Sequence, residues 1–274
     1  MSVTALKILK PEPVKSQASR AGIGGFMRMT QLATATCHRL TATDPSIVMV
    51  LSGRKIIRRA GEEVTISSGS AVLLPTGHEF DITNEVGGNG LYQALVIYFD
   101  NAILPVVASP KTKAVEAVTA LPYSKAELAE AMEVAVDAIK DSSLPSTIAV
   151  HRLEELLLWI ETEGFSLVRP RTQNLLTEVR KLLGSAPSAK WPTAKVAKEL
   201  AVSEATLRRK LAKAGTTLTD IAIDVRMTSA LALLQTTEDN IASIAMAVGY
   251  DSPSRFSLRF RDRFGLSPSD FRRG

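Results

Sequence analysis

Cysteine and histidine are scarce in this chain: its 274 residues include one cysteine, Cys37, and three histidines, His38, His78 and His151. A single cysteine excludes an internal disulfide, and so few scattered ligands argue against a four-ligand zinc site, so no metal or cofactor is expected. Long apolar runs are also missing. No stretch approaches the roughly 18 apolar residues that a membrane helix needs, which excludes an integral helical membrane protein. The opening MSVTALKILKPEPVKSQASR has lysines but no continuous apolar region and no small-residue cleavage site, so no secretory signal is expected and the cytoplasm is the expected compartment.

What is present is an ordinary globular composition, 45% hydrophobic and 22% charged, in a chain long enough for two domains. The net charge of +5 is unevenly spread. From Arg171 to Gly274 there are 17 Lys/Arg against 10 Asp/Glu, so the positive excess belongs to the C-terminal third. That asymmetry suggests a polyanion-binding module joined to a nearly neutral partner domain.

Residues 25–101 contain the short β-type runs SIVMVLSG, KIIRRAG, EVTISSG, AVLLPTG, FDITN and LYQALVIYF, most of them closed by Gly or Asn. Strands punctuated at this interval predict an antiparallel sandwich or barrel. From Ser124 the period changes. Leu128, Met132, Ala135 and Ile139 share one helix face, as do Leu153, Leu156, Leu157 and Ile160 after the LPS break. These two amphipathic helices either pack onto the β domain or form a dimer interface. The division expected is a flexible segment over 1–24, a β domain over 25–123, the helices over 124–163, a linker over 164–171 and a helical domain over 172–274.

The C-terminal third holds a degenerate internal repeat. Val196, Ala197 and Leu200, a turn, then Ser203, Leu207, Leu211 and Gly215 are echoed by Ile244, Ala245 and Val248, Gly249, then Ser252, Phe256, Phe260 and Gly265. Both copies read helix, turn, helix, with Ser203 and Ser252 as N-caps, Pro253 in a first helical position and glycines as stops. Ser267, Pro268 and Asp270 start a last short helix, and Thr217 to Gln235 is one continuous helical pattern between the copies.

Turning about 100° per residue from the buried direction selects an outward face on each second helix. Around Leu207 it carries Ala205, Arg208, Arg209 and Ala212; around Phe256 it carries Ser254, Ser257, Leu258 and Arg261, while Arg263 turns inward. Arginine on such a face suits a bidentate contact to guanine, and Ala205 or Leu258 suits a thymine methyl group. Ser203, Lys213, Ser252, Arg255, Arg259 and Arg272 are placed for phosphates. Any single arginine here reads more readily as part of a solvated face. The crowding of Arg255, Arg259, Arg261, Arg263, Arg272 and Arg273, offset only by Asp262 and Asp270, favours a phosphate-facing surface.

These residues resemble the AraC/XylS family of bacterial transcription regulators. The pattern is carried by Trp191, Val196, Ala197, Leu200, Ser203, Leu207 and Arg209, then Arg226, Ala230, Leu233 and Leu234, then Ile241 through Arg272. The resemblance implies a bipartite helix-turn-helix domain of about seven helices that binds promoter DNA and activates transcription by contacting RNA polymerase. It also implies an N-terminal cupin-like barrel for effector sensing and a homodimer, within an α+β chain. Leu211 stands where an aromatic residue is usual, and Leu258 where a polar or basic one is.

Against the cupin pattern, Gly69, Pro75, Gly77 and Asn84 fit, but Phe80 stands at the metal-binding histidine position and Ser46 at the carboxylate position. An enzymatic cupin needs those groups to hold its metal, so a cupin enzyme fused to a DNA-binding tail is disfavoured and no enzyme is expected. His78 reads as a turn residue, and adjacent Cys37 and His38 would point to opposite faces of a strand. Arg54, Lys55, Arg58 and Arg59 form either an exposed hairpin or an anionic-ligand site. The effector is not identified, and control by a protein partner alone is an alternative.

Overall fold

The computed structural model describes residues 16–121, 125–170 and 174–273, in two compact units divided after residue 171. In the first unit the strands are β1 Ser16–Arg20, β2 Gly24–Gln31, β3 Ala35–Thr41, β4 Ser46–Ser52, β5 Arg54–Arg59, β6 Glu62–Ser67, β7 Ala71–Leu74, β8 Glu79–Glu85, β9 Tyr92–Phe99, β10 Lys113–Ala114, β11 Thr119–Leu121 and β12 Phe165–Ser166. Two helices, α1 Ala126–Lys140 and α2 Ser146–Thr162, lie between β11 and β12. The strands form a six-stranded sheet ordered β1-β2-β9-β4-β7-β11, a four-stranded sheet ordered β3-β8-β5-β6, and a small parallel pair, β10-β12. The larger sheets are antiparallel.

The expected sandwich or barrel takes the form of two facing, open antiparallel sheets, each backbone ladder staying within its own sheet. Parity explains why SIVMVLS and YQALVIYF are apolar throughout. On the central strands β4, β7 and β9, Ile47, Met49, Leu73, Leu95 and Ile97 face one core with α1 and α2. Val48, Val50, Val72, Leu74, Ala94 and Val96 face another, toward Ile57, Ile66 and Phe80. A sheet covered on both sides needs no polar face.

The apolar stripes of both helices are consumed in this packing. Leu128, Met132, Ala135, Ile139, Leu153, Leu156, Leu157 and Ile160 all belong to the first core, so they do not form a free dimer face. Two polar bolts hold the hairpin to the sheet. Arg28 of β2 places Nη2 at 2.7 and 2.5 Å from the Glu133 carboxylate of α1, both side chains being buried. Arg20 of β1 donates to the carbonyls of Ala138, Asp141 and Leu144 and to Ser146 Oγ, satisfying groups that the end of α1 leaves open.

Two further expectations are corrected, and a third, the exposed hairpin after Gly53, is corrected at Lys55 alone. The flexible segment expected over 1–24 lies outside the described residues as far as 15, and beyond them Ser16–Arg20 pairs with β2 from Ser16↔Arg28 to Arg20↔Gly24. The linker expected over 164–171 is instead packed through residue 169. Phe165 and Ser166 pair with β10, Leu167 is buried, and Arg169 donates its backbone N–H to Pro105 and Nε to Asn101. Of the basic set after Gly53, Arg54 pairs with Glu85, Arg58 with Glu63, and Arg59 reaches His78 Nδ1, all exposed. Lys55 goes the other way, because it shares the inward parity of Ile57.

Lys55 is 4% exposed. Its Nζ donates to Asn84 Oδ1 at 2.7 Å and lies 5.3 Å from the centre of the Tyr92 ring, while Asn84 donates to Gln31. Burial pushes the Lys55 amine down to about 8, with Cys37 acting weakly in the opposite sense. The buried Tyr92 hydroxyl has no hydrogen-bond partner among the described residues, and burial drives its titration upward. Phe80, at the cupin metal position, is 2% exposed and fills the second core. Cys37 points inward while His38 is exposed, its Nδ1 3.0 Å from Asp81 Oδ2. His78 sits edge-on to Phe80, and burial together with the Arg59 charge holds its imidazole below the usual range.

Candidate nucleic-acid interface

The second unit contains seven helices among the described residues: α3 Leu175–Gly184, α4 Thr193–Glu199, α5 Glu204–Lys213, α6 Leu218–Thr236, α7 Ile241–Ala247, α8 Pro253–Phe264 and α9 Pro268–Arg273. Local chemistry sets the boundaries. Ser203 Oγ accepts the Thr206 N–H and Ser252 Oγ the Arg255 N–H, so both serines cap the second helix of a pair. Thr217 and Asp220 form a reciprocal capping box at the start of α6, and Asn240 caps α7. Gly265 ends α8 in the left-handed region at φ 78.

Each helix pair closes on its own core. Val196, Ala197, Leu207 and Leu211 pack with Val179 and Leu183 of α3 and with Ile221 and Val225 of α6. In the second pair an aromatic ladder does the work: Tyr250–Phe256, Phe256–Phe260 and Phe260–Phe264 are 5.8, 5.8 and 4.7 Å between centroids, and Phe271 of α9 stands edge-on to Phe260 at 6.2 Å. Leu211 occupies its core position as an aliphatic residue, 2% exposed.

The opposite faces are open. On α5, Ala205, Arg208, Arg209, Ala212 and Lys213 are exposed; on α8, Ser254, Arg255, Leu258, Arg259 and Arg261 are exposed and Ser257 is half-buried. The side chains of Arg209, Lys213, Arg255 and Arg261 make no ion pair or hydrogen bond with the described residues. Arg208 leans on Glu204 one turn earlier at 3.2 Å, an exposed pair that is easily exchanged for another partner. Ser203 and Ser252 are spent as caps, and the Ser203 hydroxyl donates to Thr206.

Arg272 departs from the expected phosphate set. Its Nη1 donates to the Asp239 carbonyl and Nη2 lies 3.5 Å from the Thr237 carbonyl, which binds α9 to the turn after α6. Arg263 turns inward as its helical position requires, its Nε donating to Asp224 Oδ1 at 2.8 Å. The side chain of Arg273 lies outside the described residues.

The internal partners of α6 were not legible beforehand. Arg226 sends Nε to the Pro187 carbonyl at 3.0 Å and Nη1 and Nη2 to those of Gly249 and Ala189 at 3.4 Å each, with its guanidinium 5.9 Å from the Tyr250 ring. Burial pushes the Tyr250 phenol up, against the pull of Arg226 and Arg259. Gly249, at φ +85, admits no side chain, since a Cβ there would lie 2.8 Å from Ser188 Cα. The only early signal was the occurrence of Arg226 and Gly249 in the family pattern.

Comparison with known proteins places these features. A helix-turn-helix domain model matches residues 196–274, and a model of the ExsA N-terminal regulatory domain matches residues 45–164. The transcriptional regulator SirC of Salmonella typhimurium is 36% identical over 96 residues, which is 35% of this chain and 32% of SirC. The ornithine utilization regulator of Pseudomonas aeruginosa is 39% identical over 100 residues, 36% of this chain and 30% of that protein. The transcriptional activator FapR of Escherichia coli is 28% identical over 139 residues, 50% of this chain and 54% of FapR. The chain thus spans 30–54% of the length of these relatives. A solved structure of an apo variant of ToxT from Vibrio cholerae has the same fold over 93% of this chain and 98% of its own, with a TM-score of 0.63 at 15% identity. The chain thus carries an ExsA-type regulatory domain in its first unit and an AraC-type helix-turn-helix domain in its second, the domains shared by its AraC-family relatives.

Proposed function

We propose that this protein binds promoter DNA sequence-specifically as a homodimer in the cytoplasm and activates transcription through contact with RNA polymerase, under control exerted on its N-terminal unit. One observation carries the DNA-binding reading: both second helices of the repeated pairs expose arginines whose side chains have no partner among the described residues, on the face opposite their core. In this reading α5 and α8 enter successive major grooves. Arg209 and Arg261, with Arg208 once released from Glu204, read guanine edges. Ala205, Ser254, Ser257 and Leu258 shape the remaining contact. Lys213, Arg255 and Arg259 meet phosphates, assisted by the capped starts of α5 and α8 around Ser203 and Ser252. The 19 residues of α6 give about 28 Å at about 1.5 Å per residue, comparable with the roughly 34 Å between major-groove segments on one side of DNA.

Regulation through the first unit is supported by its ExsA-type match, and by ToxT, a protein of this fold whose structure was solved with an unsaturated fatty acid bound. The outer face of α2, where Ile148 and Leu158 are 42% and 63% exposed, is the surface left for dimerisation once the inner stripe is buried. The test is selection from a random duplex library by the full chain across a salt series. Enrichment of a bipartite site of about two helical turns supports the reading. Sequence-independent, salt-sensitive binding alone refutes it.

A further inference from the structure

The two helix pairs are joined by more than the continuity of α6. Near its middle the Asp224 carboxylate divides between both halves: Oδ2 accepts from Arg180 Nη1 of α3, and Oδ1 accepts from Arg263 Nε of α8 at 2.8 Å. All three side chains are largely removed from water, at 11%, 22% and 19% exposure for Arg180, Asp224 and Arg263. Two residues later, about 200° around the helix, Arg226 makes a second clamp of the same kind. It holds the α3–α4 connection through Pro187 and Ala189 and the turn of the second pair through Gly249. The second pair and α3, which shares the core of the first pair, are therefore gripped from opposite sides of one helix. Neither can turn about the α6 axis without breaking a charge-assisted bond in a poorly hydrated place.

We propose that Asp224 is a positioning residue that fixes the spacing between the two DNA half-sites this protein accepts. The inference rests on the reading that both α5 and α8 enter the major groove. Adding one base pair between half-sites moves the second by about 3.4 Å and rotates it by about 35°, since a turn of 10–10.5 pairs advances about 34–36 Å. A clamped linker rejects that displacement. One held only by the backbone of α6 accommodates part of it.

The experiment measures full-chain affinity for the selected operator and for versions with one base pair added to or removed from its centre, for the native protein, Asp224→Asn and Arg263→Gln. Arg263→Gln removes only the α8 arm and so keeps the test valid if Asp224→Asn fails to fold. The native protein is expected to lose at least about tenfold on either altered spacer, equivalent to about 1.4 kcal/mol. The variants are expected to bind the three spacings within about threefold of one another, a spread of under 1 kcal/mol. Uniform weakening on all spacers with an unchanged profile would show that Asp224 merely stabilises the unit and would overturn the proposal. A native protein that selects no bipartite site at all would overturn the underlying reading, and that result is visible without either variant.

Discussion

Lys55→Met should make the N-terminal unit more stable at neutral pH, although it removes a hydrogen bond. The native amine is buried, and its shift from an ordinary 10.5 to about 8 corresponds to about 3 kcal/mol spent on keeping the charged form inside. Methionine of similar length avoids that cost but leaves Asn84 Oδ1 without its 2.7 Å donor, a loss of about 1–3 kcal/mol. The net gain at pH 7 is about 1 kcal/mol. The pH dependence is the sharper signature. Between pH 8 and 10.5 the unfolded chain still holds the lysine proton that the folded chain has released, so the unfolded state binds more protons and native stability rises with pH. Below about 8 the penalty is fully present. Tyr92 acts in the opposite direction above pH 10, because its folded phenol keeps a proton that the unfolded one loses, so the useful window is pH 8 to 10. The two tryptophans lie one in each unit, Trp159 in α2 and Trp191 before α4, so urea unfolding followed by fluorescence in a Trp191→Phe background reports on the first unit. Native stability should climb across the window by about 2 kcal/mol relative to Lys55→Met. A flat difference from pH 7 to 10 would refute a charged, buried Lys55.

Arg209→Ala should cost about 1–3 kcal/mol on the selected operator and relax preference at one or two base positions, as read by competition binding; unchanged affinity and preference would place the reading face elsewhere. Lys213→Ala should weaken all sequences alike and lower the slope of log affinity against log salt by about one, whereas Arg272→Ala, whose guanidinium is occupied by the Thr237 and Asp239 carbonyls, should leave that slope unchanged. Gly249→Ala combines a left-handed backbone with a Cβ 2.8 Å from Ser188 Cα, and should destabilise the C-terminal unit by about 1–3 kcal/mol in thermal unfolding. An unchanged melting temperature would show that the Ser188 segment yields freely.

The C-terminal unit was the more legible half, because its signals are local. Caps lie three residues from the N–H groups they satisfy, core residues recur at helical spacing, and the outward arginines follow from both. Arg263 could be assigned inward from its angle relative to Phe256, but not to Asp224, which lies 39 positions earlier and shares no local pattern with it. Arg272 departs from its expected phosphate role for a related reason: density of positive charge says nothing about which side chain finds a carbonyl. In the first unit, glycine-punctuated runs from 46 to 99 marked six strands, while SQASR passed unnoticed because an edge strand of small polar residues lacks an apolar alternation. Lys55 was grouped with its arginine neighbours by composition, although the two-residue period placed it with Ile57. The closure of the sheets was not readable, since pairing across a sheet corner depends on hydrogen bonds between distant strands.

On α5 and α8, the residues that hold the helix in place and the exposed arginines stand on opposite faces. Phe256, Phe260 and Phe264 are committed to the interior, while Arg209, Leu258 and Arg261 contribute little to it. Substitutions at such outward positions usually shift stability by no more than about 0.5 kcal/mol. With the outward face reading DNA as proposed, a lineage carrying this protein could alter the operators it recognises one residue at a time without first acquiring compensating mutations in the core. Two copies arising by gene duplication would be free to part company in their targets while keeping the same scaffold, the same clamps on α6 and the same regulatory domain.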